Sequence, residues 1–259
     1  MTPGPPSPDP VPPLHQLYPE QRLIAVRALL EELNLTAKAP TERPYTIANF
    51  VASADGHAAY RGRSRWLSDD ADRELFHGLR EHIDAILVGT GTLRVERYGR
   101  LIRDPERRHR RAASGLAPDP LACLFSRSGD IPIDIPLFAD PASRIVVFSP
   151  AGLDTSGLGA QIEVVRLDPG ELTLTTMMRR LRSDYDVHTL LCEGGPTLFG
   201  ALLQEDLVHE LFISLAPKLT GGGNAPSITS GPELASLRHL HLVWVLEHAS
   251  ALYLRYAIR

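Results

Sequence analysis

An acidic residue and two glycines close an apolar run in Cys192-Glu193-Gly194-Gly195-Pro196-Thr197-Leu198. Glycines permit positive φ and close backbone approach. A proline suits the first helical position, where the neighbouring N–H groups lack intrahelical partners. Those donors and the helix dipole make an anion site, and the carboxyl ends of strands are where open α/β sheets bind ligands. The plain alternative is a tight strand–helix turn that holds nothing; Glu193 beside it favours a site.

A second glycine-bearing exit, Gly89-Thr90-Gly91-Thr92-Leu93-Arg94-Val95-Glu96, begins like a dinucleotide fingerprint but carries Arg94 at the third glycine position. A standard Rossmann domain is therefore not expected. Two such exits can still grip one phosphate-rich cofactor from opposite sides. A third cluster, Ser53-Ala54-Asp55-Gly56 followed by Gly62-Arg63-Ser64-Arg65-Trp66, fits a ligand mouth with an aromatic wall, or a hairpin with a packed tryptophan. Arg100, Arg103, Arg107, Arg108, Arg110 and Arg111 read mostly as a solvated loop, from which one or two arginines could clamp a phosphate.

These residues need a scaffold. Short apolar runs at 45–52, 84–89, 121–126, 144–149 and 188–193 read as buried strands, and helical patterns at 69–82, 173–182 and 196–205 separate several of them. That alternation predicts an α/β fold with a largely parallel sheet covered on both faces. Residues 208–216, 240–247 and 251–258 read as strands forming an antiparallel end, with a hairpin loop at 248–250. Residues 94–120 are the longest irregular stretch. Seven prolines in residues 3–13 predict a disordered tail over residues 1–18. An amphipathic helix over 19–33, with Pro19 in its first turn, and a linker to 44 would precede a main domain over 45–259.

Composition narrows the function. The chain has 259 residues, 43% of them hydrophobic, enough for a sizeable core. Its 31 acidic and 27 basic residues leave a net charge of −4, which argues against a nucleic-acid binder. No apolar run approaches the roughly 20 residues of a membrane span. Two cysteines exclude a disulfide scaffold and any multi-cysteine metal site, so no metal is expected. With neither His-x-Glu nor Cys-x-x-Cys, a zinc deaminase site is also excluded. The chain reads as a reduced, soluble, cytoplasmic protein.

Taken together, S-A-D-G, G-R-S-R-W, L-R-E-H-I-D-A-I-L-V-G-T-G-T-L, C-E-G-G-P-T-L and L-A-P-K-L-T-G-G resemble, in order over about 45–258, the pyrimidine reductases of riboflavin biosynthesis. Those are the reductase halves of bacterial deaminase–reductases; the R-x-E-x-Y-G segment at 94–99 is similar to stand-alone actinobacterial members. The resemblance implies a dihydrofolate-reductase-like αβα sandwich, a homodimer, and NADPH as donor. The implied reaction reduces the ribosyl group of a ribosylamino-pyrimidine 5′-phosphate to ribityl. Cofactor contacts would fall on Val51, Trp66, Thr92, Glu96, Ser126, Gly195, Pro196 and Thr197. Gly194 with Gly195 would meet the pyrophosphate, and Arg127 the 2′-phosphate. Substrate contacts would fall on Ser64, Arg80, Arg103 and Glu193, with Arg80 and Arg103 on the phosphate. Glu193 and Asp55 are the catalytic candidates. Glu96 with Arg97-Tyr98 departs from the family's Asp-Asp-Pro, which leaves Arg100 as an alternative to Arg103. A related reductase acting on dihydrofolate or another pterin or pyrimidine, and a non-catalytic nucleotide-binding paralog, are the competing readings.

Overall fold

In the computed structural model, which describes residues 12–259, eleven strands form one sheet. Its parallel half is built from β3 (Tyr45–Ser53), β4 (Ala85–Val88), β5 (Leu121–Phe125), β6 (Arg144–Ser149), β7 (Gln161–Arg166) and β8 (Thr189–Cys192). The antiparallel half holds β1 (Leu14–Tyr18), β2 (Arg22–Ile24), β10 (Leu240–His248) and β11 (Ala251–Ile258). Strand β9 (Glu210–Ala216) joins them, parallel to β3 and antiparallel to β11. The spatial order is β2-β1-β10-β11-β9-β3-β8-β4-β5-β6-β7.

Strand periodicity divides the core in two. In β4, Ala85 and Leu87 face one way and Ile86 and Val88 the other. In β5, Leu121 and Cys123 join the first face and Ala122 and Leu124 the second. Helices α6 (Leu174–Tyr185) and α7 (Pro196–Gln204) cover the first face. The second is covered by α1 (Val26–Glu31), α2 (Asp70–Leu79), α3 (Thr90–Glu96) and α5 (Pro136–Ala139), completing three layers. Helix α4 (Pro105–Ala113) packs beside the short turn Arg80–His82 that ends α2. The expected mostly parallel sheet with antiparallel C-terminal strands is what the structure shows.

Four local expectations are corrected. The helix expected over 19–33 is helical only at Val26–Glu31; Leu14–Tyr18 and Arg22–Ile24 instead form a hairpin added to the edge of β10. The apolar spacing satisfied both periods, but Leu23 is exposed while Ile24 is buried, the alternation of a strand. Leu14–Tyr18 are therefore not part of a tail, and residues 1–11, on which the rest of that expectation falls, lie outside the described residues. Residues 94–120 are not wholly irregular. Asp104 caps α4 by accepting the N–H of Glu106, with Pro105 in its first turn. Arg107 and Arg110 pair with Glu81, and Arg111 is buried against the carbonyls of Arg80, Ile83 and Ala117, so the arginine run is mostly a bonded helix. Finally, the C-terminal hairpin turns on Ala249 and Ser250 alone, both at positive φ, with His248 still paired in β10.

Candidate active site

The neighbouring strands β4 and β8 run parallel and end side by side. Past their last paired residues, the Glu193 N–H donates to Leu87 O (3.0 Å) and the Gly89 N–H to Gly194 O (3.0 Å), which ties the two glycine-bearing exits together. Gly194 and Gly195 sit at φ of 107° and 91°, conformations that L side chains rarely adopt. Gly195 caps α7 without a side-chain bond, so the amides of the first turn lack that partner.

These exits form one wall of a cavity of about 580 Å³ that is also lined by Thr92, Glu96, Arg127, Pro196 and Thr197. At Gly91, which lines it too, an added Cβ would meet nothing within 4 Å. Around the tip of α3 lies a second pocket of about 530 Å³, lined by Arg65, His77, Arg80, Arg97, Arg100, Arg103 and Arg107 among others. A smaller chamber of about 270 Å³ connects their walls. It shares Phe50, Thr92 and Glu193 with the first, Phe76, His77 and Tyr98 with the second, and Ser64 and Glu96 with both.

Glu193 is the hub. Its buried carboxylate takes Arg80 Nε and Nη2 (2.6 Å each) and the Tyr98 hydroxyl (3.0 Å). The third face of the Arg80 guanidinium donates to Leu101 O (2.6 Å), while the rings of Phe76 and Tyr98 lie 4.4 and 5.6 Å from its carbon. Burial works against the charge on Arg80, yet the Glu193 carboxylate holds its pKa above the ordinary value. Burial, and then the same carboxylate, pushes the Tyr98 phenol well above its usual range. Partial burial and the positive field of Arg80, Arg107, Arg103 and Arg73 bring His77 down to about 4.

The expected residues separate into three groups. Ser64, Thr92, Glu96, Arg127, Glu193, Gly194, Gly195, Pro196 and Thr197 meet in the main cavity; Ser64 donates its N–H and hydroxyl to Glu96 Oε1 (3.3 and 3.2 Å). Arg80 and Arg103 both line the arginine-rich pocket, but Arg80 is engaged by Glu193, whereas the Arg103 side chain makes no hydrogen bond or ion pair among the described residues. The alternative, Arg100, is held by Asp119 at 2.6 Å. Val51 lines the connecting chamber.

The remaining residues stand off the cavities. Trp66 is 49% exposed beneath the Arg65 guanidinium and lines none of the three, so the expected aromatic wall is not formed. Ser126 is buried and accepts the Gly129 N–H, shaping the turn that carries Arg127. Asp55 also lines none of them. Its carboxylate accepts the Ser53 hydroxyl (2.5 Å) and the Thr220 and Gly221 N–H groups, bonds that anchor the loop and hold its pKa far below the usual range. Residue types did not single out Tyr98, His77 or Asp72, all of which line the chamber. Asp72 is one of three aspartates at the start of α2, indistinguishable in the sequence from the capping Asp69.

Comparison with known proteins agrees with this architecture. A pyrimidine reductase-like protein of Corynebacterium diphtheriae superposes with a TM-score of 0.73 over 90% of this chain and 98% of its own, at 22% identity, a likeness of fold. The 2,5-diamino-6-ribosylamino-4(3H)-pyrimidinone 5′-phosphate reductase of Archaeoglobus fulgidus is 28% identical over 73% of this chain and 87% of its own. The riboflavin biosynthesis protein RibD of Mycobacterium tuberculosis is 32% identical over 71% of this chain and 45% of its own length. The model of the RibD C-terminal domain matches residues 44–252. The chain thus belongs to the RibD C-terminal domain family.

Proposed function

We propose that this protein reduces the ribosyl group of a ribosylamino-pyrimidine 5′-phosphate to a ribityl group, with NADPH as the donor. One observation carries the reading: a glycine-walled cavity at the start of α7 connects, through a chamber bordered by Glu193, to an arginine-lined pocket. The residues present fit a dinucleotide. Gly194 and Gly195 let backbone approach a pyrophosphate, and the first-turn amides of α7 supply donors with the favourable end of the dipole. Arg127, exposed on the cavity wall and without an ion-pair partner among the described residues, would take a 2′-phosphate. When bound, the cofactor supplies the hydride.

The chain's own work is positioning and charge complementarity. Arg103, which with Arg65 is free of ion-pair partners in the second pocket among the described residues, would meet a substrate phosphate, while Arg80 fixes Glu193. Held on three hydrogen bonds with its side chain buried, Glu193 is a fixed acceptor at the chamber wall, placed to contact sugar hydroxyls or a transient positive charge at the ribosyl carbon once substrate is bound. Among the described residues no helix is long and apolar enough to cross a membrane. The assay follows NADPH oxidation with the deaminated ribosylamino-uracil phosphate, its 2-amino precursor and dihydrofolate in parallel. Oxidation with either ribosylamino compound is expected. Turnover of dihydrofolate alone, or tight NADPH binding with no turnover of any of the three, would overturn the reading.

A further inference from the structure

The connecting chamber is where sugar and nicotinamide would meet under the proposed function, and its lining includes a buried carboxyl with no part in that account. Asp72, in the first turn of α2, is 7% exposed and lines the chamber alongside Asn49, Val51 and Glu193. Its carboxyl takes the Ser68 hydroxyl at 2.5 Å, and the nearby Ser214 hydroxyl of β9 favours its charged form. No cation bonds it. Arg73 is turned to Asp70, and the Asp69 carboxylate, itself held by the Tyr253 hydroxyl of β11 (2.7 Å), acts on Asp72 as a like charge. Burial, only partly offset by the two serines and Arg73, raises the Asp72 pKa, and Asp69 adds to the rise.

The other acids of the chamber are unsuited to giving up a proton. Glu193 is ion-paired with Arg80, Glu96 accepts both donors of Ser64, the Tyr98 phenol is pushed far up, and His77 is neutral at pH 7. We infer that Asp72 is the acid that protonates the ring oxygen of the substrate's ribosyl group as the ring opens, a role that rests on the reductase reading above. In a ribosylamine, C1′ carries both the amine nitrogen and O4′. When C1′–O4′ breaks, its electron pair leaves with O4′, which takes the Asp72 proton, and the nitrogen lone pair forms C1′=N. C1′ then accepts hydride from the reduced nicotinamide dinucleotide, and the π pair returns to nitrogen. Asp72 regains its proton from water, so each turnover consumes one hydride and one proton.

The test is the pH dependence of kcat in wild type and Asp72→Asn, with NADPH and the ribosylamino-pyrimidine phosphate, alongside calorimetric NADPH binding. Loss of a general acid should lower kcat by about 10²–10⁴-fold. The alkaline decline of wild-type kcat, expected as Asp72 ionises, should vanish in the variant, with the NADPH Kd unchanged. A variant that keeps kcat, or keeps the wild-type alkaline limb, overturns the assignment. If Asp72→Asn fails to fold, Ser68→Ala decides: removing one donor from the carboxylate should move the alkaline limb to higher pH, and an unmoved limb refutes the role. Wild-type protein that oxidises no NADPH with this substrate refutes the reductase reading and this role with it. Wild-type turnover with an unaffected variant refutes the role of Asp72 alone.

Discussion

Removing Arg80 while leaving Glu193 in place should be among the most damaging single changes to this fold. The Arg80 and Glu193 side chains are 7% and 0% exposed, and the pair is bidentate at 2.6 Å. Arg80→Met deletes two charge-assisted bonds to Glu193 and one to Leu101 O, and leaves the carboxylate with the Tyr98 hydroxyl as its remaining side-chain partner. Stranding one member of a buried pair costs about 3–5 kcal/mol, mostly because the other charge stays buried without compensation. For a chain of this size each kcal/mol shifts Tm by roughly 2–4 °C, so a drop of about 6–20 °C is expected. Replacing both members removes the uncompensated charge. Arg80→Met/Glu193→Met should therefore return to within about 2 kcal/mol of wild type, despite losing any stacking of Arg80 on Phe76. Denaturant unfolding of wild type, both single variants and the double variant closes the cycle. Arg80→Met within about 1 kcal/mol of wild type, or single-variant losses that simply add in the double, would refute the view that these two groups exist to neutralise one another in a dry site.

Other expectations bear on the proposed cofactor contacts and the Asp55 loop. Arg127→Ala should raise the KM for NADPH with little effect on NADH; equal effects on both in steady-state assays would remove Arg127 from the 2′-phosphate. Gly195→Ala places a side chain at φ 91°, with its Cβ 3.5 Å from both Gly89 Cα and Thr92 Oγ1. Strain of about 1–3 kcal/mol and a matching loss of NADPH affinity by calorimetry are expected, and undiminished binding would separate this turn from the cofactor. The folded-state pKa of Asp55 lies far below the ordinary carboxylate value, chiefly through the Ser53 hydroxyl. Its contribution to stability is thus present above the unfolded value and lost as pH falls through the folded one. Unfolding curves of wild type and Asp55→Asn should differ at neutral pH and converge in strong acid; a constant gap at all pH values would show that the carboxylate charge is not what anchors the loop.

The sequence by itself determined the elements whose local signals agree with their burial, and with them the glycine-bearing wall of the main cavity. The run ending in Cys192-Glu193, two glycines and a helix-starting proline admits few backbone paths, so the turn, its positive φ values and the start of α7 were legible before any tertiary contact. The same holds for β4 and for the two strands of the C-terminal hairpin. Where one pattern fits two periods, tertiary contacts chose: Leu23, Ile24 and Val26 could extend a helix, but the open edge of β10 offered backbone partners that drew Leu14–Ile24 into strands. The roles of charged residues were decided still later. Arg80, Arg100 and Arg103 are chemically identical in the chain, and only packing gave Glu193 to the first and Asp119 to the second, leaving the third facing a pocket. Asp69, Asp70 and Asp72 read alike as a helix start, yet one caps α2, one pairs with Arg73 and one lines the chamber. The physical reason is one of range. Backbone conformation is set within a few residues, whereas the partners and solvation that decide what an ionisable group can do depend on tertiary packing, which for Arg80 and Asp72 brings in segments more than a hundred residues away.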